Sequence, residues 1–179
     1  MSVALVIAPV SNDPLRDWPL SHFEQLARLC VEQLDATVNC VGIRAQRIAV
    51  NQIVRRLPPD RVRNLCGTMP WSGTTDLIRS ASCVVANNSG IAHLAAGLGV
   101  PTVCVFGASH NPYEWMARGP AVITLHKRTG CAPCAFGHLG DCPFDKRCLR
   151  EIGPETVFEA VRRACARAGT PVQGSTVLA

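Results

Sequence analysis

Residues 84–101 read Val-Val-Ala-Asn-Asn-Ser-Gly-Ile-Ala-His-Leu-Ala-Ala-Gly-Leu-Gly-Val-Pro, and their chemistry suits an anion. An apolar run feeds a turn of small residues, Asn88, Ser89 and Gly90, which opens a helix-period segment. The first amides of a helix lack intrahelical acceptors and stand at the positive end of its dipole. A phosphate approaching Gly90 therefore meets free N–H groups and no side chain. Ser89 adds a hydroxyl donor, and His93, about one turn in, adds an imidazole at the same mouth. The plainer account is that Asn88 or Ser89 merely caps the helix and His93 is structural. A second candidate is the loop of residues 10–19, where Ser11 offers a hydroxyl and Arg16 a guanidinium fork suited to phosphate. A third, residues 67–73, sets Thr68, Met69 and Trp71 where they could border a flat ring.

Cys131, Cys134, Cys142 and Cys148 form a C-x2-C-x7-C-x5-C pattern. Four thiolates at about 2.3 Å suit a tetrahedral Zn or a rubredoxin-like Fe, a structural site. Two loop disulfides or four free thiols are the alternatives. Cys131-Ala-Pro-Cys134 does not open a helix in a thioredoxin-like setting, which argues against redox exchange. The other six, Cys30, Cys40, Cys66, Cys83, Cys104 and Cys165, fall on apolar faces or strands and read as small core residues.

These residues need a scaffold, and short apolar runs alternating with helix-period segments supply one. The alternation predicts α/β structure: a parallel sheet with crossover helices, whose strand ends carry the loops above. Strands are expected at 3–9, 37–43, 62–66, 83–87, 102–106 and 122–126. A capping box, Ser21 with Glu24, is expected to open the first helix, which buries Phe23, Leu26, Ala27 and Cys30. A second helix is expected over 45–57 with Ala45, Ile48, Ala49, Ile53 and Leu57 inward, ended by Pro58-Pro59. Others are expected over 75–82, from residue 90 to a stop at Gly99 and Pro101, and over 154–168, with Val157, Val161 and Cys165 inward and Gly169 as its stop. Residues 129–149 form a Gly, Pro and Cys-rich loop.

The 179 residues are enough for one domain with a full core, and 47% apolar against 17% charged residues excludes a disordered chain. The most apolar stretch, 91–107, is broken by His93 and Pro101, short of the ~20 apolar residues of a membrane helix. No Lys or Arg precedes the first apolar run, so a secretory signal is not expected, and ten reduced thiols then fit a cytosolic protein. A net charge of +5, spread over several segments, mildly favours anionic ligands or an anionic membrane surface and does not imply nucleic acid.

The stretch 87–101, followed by Val103-Cys-Val-Phe-Gly107, resembles the C-terminal half of the ADP-heptose:lipopolysaccharide heptosyltransferases, glycosyltransferase family 9. Trp18-Pro-Leu-Ser-His-Phe-Glu-Gln-Leu-Ala27 is similar to that family's Trp-Pro-x-x-x-Phe-x-x-Leu-Ala segment. Cys131-Ala-Pro-Cys134, Cys142-Pro and Cys148-Leu, before Ile152 and Pro154-Glu155, resemble its Cys-rich run. Where the family has Asp, Arg and Pro, this sequence has Asn88, Asp17 and Ala108. The resemblance implies a GT-B transferase. Residues 1–179 would form its Rossmann-like nucleotide-sugar-binding domain, without the acceptor-binding domain or its general base, so no catalytic residue is expected here and the chain alone would be inactive. It implies that Ser89, Gly90 and His93 contact the diphosphate and sugar of ADP-heptose, that Arg16 replaces a phosphate-binding Lys, and that Thr68 and Met69 lie near adenosine. It further implies a lipopolysaccharide core acceptor, transfer without a required cofactor, and a cytoplasmic place with peripheral contact at the inner membrane. Another GT-B enzyme half, with a different donor sugar or epimerase chemistry, and a non-catalytic interaction domain organised by a four-cysteine metal site are the alternatives.

Overall fold

The computed structural model describes residues 3–134, 136, 139–166 and 176–178. Seven parallel strands form one open sheet in the order β3-β2-β1-β4-β5-β6-β7. They are β1 (Ala4–Ala8), β2 (Thr37–Cys40), β3 (Val62–Asn64), β4 (Cys83–Asn87), β5 (Thr102–Phe106), β6 (Val122–His126) and β7 (Thr176–Leu178). The main crossover helices are α1 (Leu20–Leu34), α2 (Arg47–Val54), α3 (Trp71–Arg79), α4 (Gly90–Gly97) and α7 (Pro154–Ala166). Two one-turn helices, α5 (Pro112–Trp115) and α6 (Arg147–Arg150), interrupt the later loops.

Strand side chains alternate between faces, and here both faces are covered, so the central strands read as unbroken apolar runs. Leu5, Ile7, Val85, Val103 and Val105 join one core with Phe23, Leu26, Val157 and Val161, from α1 and α7. Val6, Ala8, Val84, Ala86 and Phe106 join the other with Ile78, Ala92 and Ala95, from α3 and α4. The chain winds outward through β1, β2 and β3, then returns to place β4 beside β1. That reversal opens a crevice at the carboxyl ends of β1 and β4, where ligands of such sheets bind.

The expected α/β class and six of the strands are present, with several corrections. The capping box is absent. Pro19 holds the N-cap of α1 and its carbonyl accepts from His22 and Phe23, which leaves Ser21 inside the first turn. Glu24 instead pairs with Arg28 and Arg56. A 3-10 turn, Arg44–Gln46, replaces the start of the second helix. The inward stripe of α2 is Val50 and Ile53, continued by Leu57, and Ile48 is 80% exposed. Gln46, at the N-cap of α2, turns its amide inward onto the Val10 and Ser11 carbonyls. The helix after β3 begins at Trp71, four residues before its expected start, with Pro70 at its N-cap. β7 was not anticipated: a three-residue run carries too little periodicity to read as a strand. The expected end of α7 at Ala168 and its stop at Gly169 lie outside the described residues.

Candidate functional site

Four loops leave the carboxyl edge of the sheet side by side: residues 9–19 after β1, 41–46 after β2, 65–70 after β3 and 88–89 after β4. Asn87, buried at the last position of β4, fastens the first of these to the last. Its Nδ2 donates to the Pro9 carbonyl at 2.8 Å and to Asp17 Oδ1 at 3.2 Å, and its Oδ1 accepts the Trp18 amide at 2.9 Å. Asp17 Oδ1 also accepts the Ser11 amide at 2.7 Å. Burial pushes the Asp17 carboxyl above its ordinary pKa, against the Ser11 hydrogen bonds and the charges of Lys146 and Arg16. Trp18 is fully buried edge-on to Phe23, and its indole N–H donates to the Ile152 carbonyl at 2.8 Å. Asn87 and Trp18, which help to carry the family resemblance, are thus the frame of the site.

On that frame the turn at 88–90 reaches the cleft, with Ser89 and Gly90 in its lining. Ser89 is the N-cap of α4 by position, in extended backbone, yet its hydroxyl makes no capping bond. That oxygen is buried without a partner. Nothing lies within 4 Å of where a Cβ on Gly90 would sit, so a ligand can come close to the backbone at the start of α4. Arg16 reaches the same turn, its Nη1 donating to the Asn88 carbonyl at 3.3 Å. Its Nε lies 3.5 Å from Asp13 Oδ2 but makes no hydrogen bond. Free amides, an unused hydroxyl and an under-satisfied guanidinium converge on one spot, as an anion requires.

The loops enclose a cleft of about 500 Å³, in the range of small-molecule sites. Ser11, Arg16, Ser89 and Gly90 form one wall, and Ile43, Arg44, Met69 and Trp71 face them. Among the described residues two arginines and no carboxylate line it, with Asp13 beside Arg16 but outside the lining. Ile43 and Trp71 hold apolar surface exposed at the mouth, where a planar ring would cover it. Gly67, at φ +66°, is required: a Cβ there would lie 2.6 Å from the Arg44 Cα, so only glycine lets these two loops meet. Nearby, burial and the Arg16 charge hold His110 below its ordinary pKa, with Asp13 pulling the other way.

Of the expected site residues, Ser11, Arg16, Met69, Ser89 and Gly90 line the cleft. Three do not. The Thr68 hydroxyl donates to the Leu65 carbonyl at 2.9 Å. Asn88 is 3% exposed and offers only its carbonyl to Arg16. His93 stands on α4, exposed and outside the lining. Ile43, Arg44 and Gln46 were missed because residues 37–43 and 45–57 read as strand and helix, leaving almost no loop. The loop after β2 lies beside the one after β1, so a shorter second strand would have left a loop to consider there.

Cys131, Cys134, Cys142 and Cys148 do converge, on a small cavity of about 10 Å³ shared with Leu15 and Ala108. They are free thiols, and burial pushes Cys134 and Cys148 above the ordinary thiol range. Among the described residues no group of three or more His, Cys, Asp or Glu side chains is set to hold a metal ion. The expected metal centre therefore has its donors in one place without a formed ligand set. Two of the sulfurs have local partners instead: Cys131 Sγ lies 3.4 Å from the Thr129 hydroxyl, and Cys142 Sγ accepts the Lys146 amide at 3.4 Å.

Residues 2–137 match the family model of glycosyltransferase family 9 (heptosyltransferase). Lipopolysaccharide heptosyltransferase 2 of Escherichia coli strain K12 is 28% identical over 153 residues, 82% of this chain and 42% of that protein. The structure of E. coli ADP-heptose lps heptosyltransferase II superposes with a TM-score of 0.78 at 22% identity, covering 93% of this chain and 47% of that one. That of E. coli heptosyltransferase WaaC with ADP-2-deoxy-2-fluoro heptose does so with a TM-score of 0.67 at 16% identity, covering 90% and 43%. The chain spans less than half the length of these relatives. With most of its length matched by the family model, the chain belongs to glycosyltransferase family 9, the heptosyltransferases.

Proposed function

We propose that this chain is the donor-binding half of an inverting glycosyltransferase that moves heptose from ADP-heptose to a lipopolysaccharide core acceptor. The observation that carries this is the cleft whose lining, among the described residues, has two arginines and no carboxylate, and whose wall ends in Arg16, Ser89 and Gly90. The diphosphate lies on that wall and the adenine against Ile43, Met69 and Trp71. As the glycosidic bond breaks, charge grows on the departing diphosphate. Arg16 and the N-terminus of α4 are already aimed at it, so little reorganisation is needed. Deprotonating the acceptor hydroxyl takes a base that this cleft does not offer, and a second domain or subunit supplies it. No helix among the described residues is long and apolar enough to cross a membrane. We place the protein in the cytoplasm, in peripheral contact with the inner membrane through its net charge of +5.

Calorimetric titration of the 179-residue chain with ADP, UDP and GDP tests this. One ADP per chain, bound in preference to the others, is expected; preference for UDP removes the heptose donor. A second reading, an interaction domain organised by a soft metal ion, is favoured by the four thiols around one cavity. One Zn or Fe per purified chain with no affinity for any nucleotide would establish it instead.

A further inference from the structure

The loop that carries Arg16 is held from far away in the sequence. Lys146 Nζ donates to the Pro14 carbonyl at 2.8 Å and to the Asp17 carbonyl at 2.9 Å, the two residues that bracket Leu15 and Arg16. Lys146 lies in the left-handed region, at φ 48°, as does Asp145 at φ 45°. Both are non-glycine residues in a conformation that L side chains disfavour, and such strain persists where other contacts over-determine it. Besides the tether itself, both ends of this contact reach the cysteine-lined cavity. The Lys146 amide donates to Cys142 Sγ, and Leu15 packs into the cavity lined by Cys131, Cys134, Cys142 and Cys148. Lys146 itself does not line the donor cleft.

Building on the donor cleft proposed above, we propose that Lys146 is a positioning residue for the diphosphate. It clamps the 14–17 turn so that the Arg16 guanidinium is held against the 88–90 turn, and the cysteine-lined segment that carries Lys146 thereby sets the phosphate affinity of the cleft. The ammonium acts on the ligand only through Arg16. Its loss should weaken binding of the diphosphate and leave the nucleoside untouched.

The test uses Lys146→Met, which keeps the stem and removes the charge, and Lys146→Gly, which removes the side chain while suiting the left-handed backbone. Lys146→Arg retains a cation. ADP affinity is read by calorimetry and adenosine affinity by ligand-observed NMR. Losing a charged tether weakens ADP binding about tenfold in the Met and Gly variants, with adenosine unchanged and the Arg variant closer to wild type. In an Arg16→Met background, Lys146→Met should add no further loss, because the two act as a unit. Additive losses, or parallel losses of ADP and adenosine, overturn the proposal, as does wild-type ADP affinity in both variants. If the unsubstituted chain binds no ADP, the donor cleft fails and this role falls with it.

Discussion

Replacing Ser89 with alanine should stabilise the protein and weaken donor binding, two effects of opposite sign from one oxygen atom. At an ordinary helix N-cap this substitution costs about 1 kcal/mol because a capping bond is lost. Here no such bond exists, and the hydroxyl is buried without a partner. An unpaired buried polar group costs about 1–3 kcal/mol, so deleting it should return roughly 1 kcal/mol of stability. For a chain of this size that is a rise of about 2–4 °C in Tm. With ADP present the balance reverses. The hydroxyl then donates to a charged oxygen, a bond of about 1.5 kcal/mol, so its removal should weaken ADP binding roughly tenfold. Scanning calorimetry with and without ADP reads both quantities on one sample. A fall in Tm of several degrees with unchanged ADP affinity would mean that Ser89 is only a cap, and the anion site would lose its hydroxyl.

Arg16→Met should weaken ADP about 10- to 100-fold, the loss of one or two charge-assisted bonds, while adenosine is unaffected. Arg16→Lys should recover part of it, because the charge returns without the fork. Asp17→Asn should raise Tm at pH 7: the folded state holds the Asp17 proton more tightly than the unfolded chain, so ionising it costs stability as pH rises through its raised pKa. That advantage should shrink as pH falls towards the ordinary value of 3.8, and a Tm gain that does not depend on pH would contradict it. In thiol titration of the native protein, Cys131, Cys134, Cys142 and Cys165 should react and the six buried thiols should not. Burial pushes Cys30, Cys40 and Cys104 up to about 12 and Cys66 to about 11, leaving almost no thiolate at neutral pH. Rapid reaction of all ten without denaturant would contradict that core.

The central sheet was legible because β4, β5 and nearly all of β1 are buried on both faces, and runs such as Leu5-Val-Ile-Ala8 and Val103-Cys-Val-Phe106 admit few other readings. The strand, turn and helix start at 83–97 were legible for a related reason: small residues Asn88-Ser-Gly90 between an apolar run and a helix-period segment mark a helix N-terminus. What escaped depended on contacts across the fold. Ser21 and Glu24 have capping-box spacing, but the Pro19 carbonyl starts the helix earlier. Ile48 fits an inward stripe by period alone, but the face of α2 that packs carries Val50 and Ile53, and Gln46 at its N-cap is tied to the β1 loop. Arg44 carries no local signature, and only the meeting of its loop with Gly67 brings it to the cleft. Lys146 is beyond any local pattern, since its acceptors lie 129 and 132 residues away.

The central claim is that a nucleoside diphosphate sits on the 88–90 turn. Amide-resolved NMR of the isotopically labelled 19.2 kDa chain during an ADP titration addresses it directly. The largest shifts should fall on Gly90 and Ile91 and on the Arg16 side chain, with smaller ones at Met69 and Trp71, and should saturate at one ADP per chain. Shifts confined to other loops, or none at millimolar ADP, would contradict the assignment of this cleft to the donor.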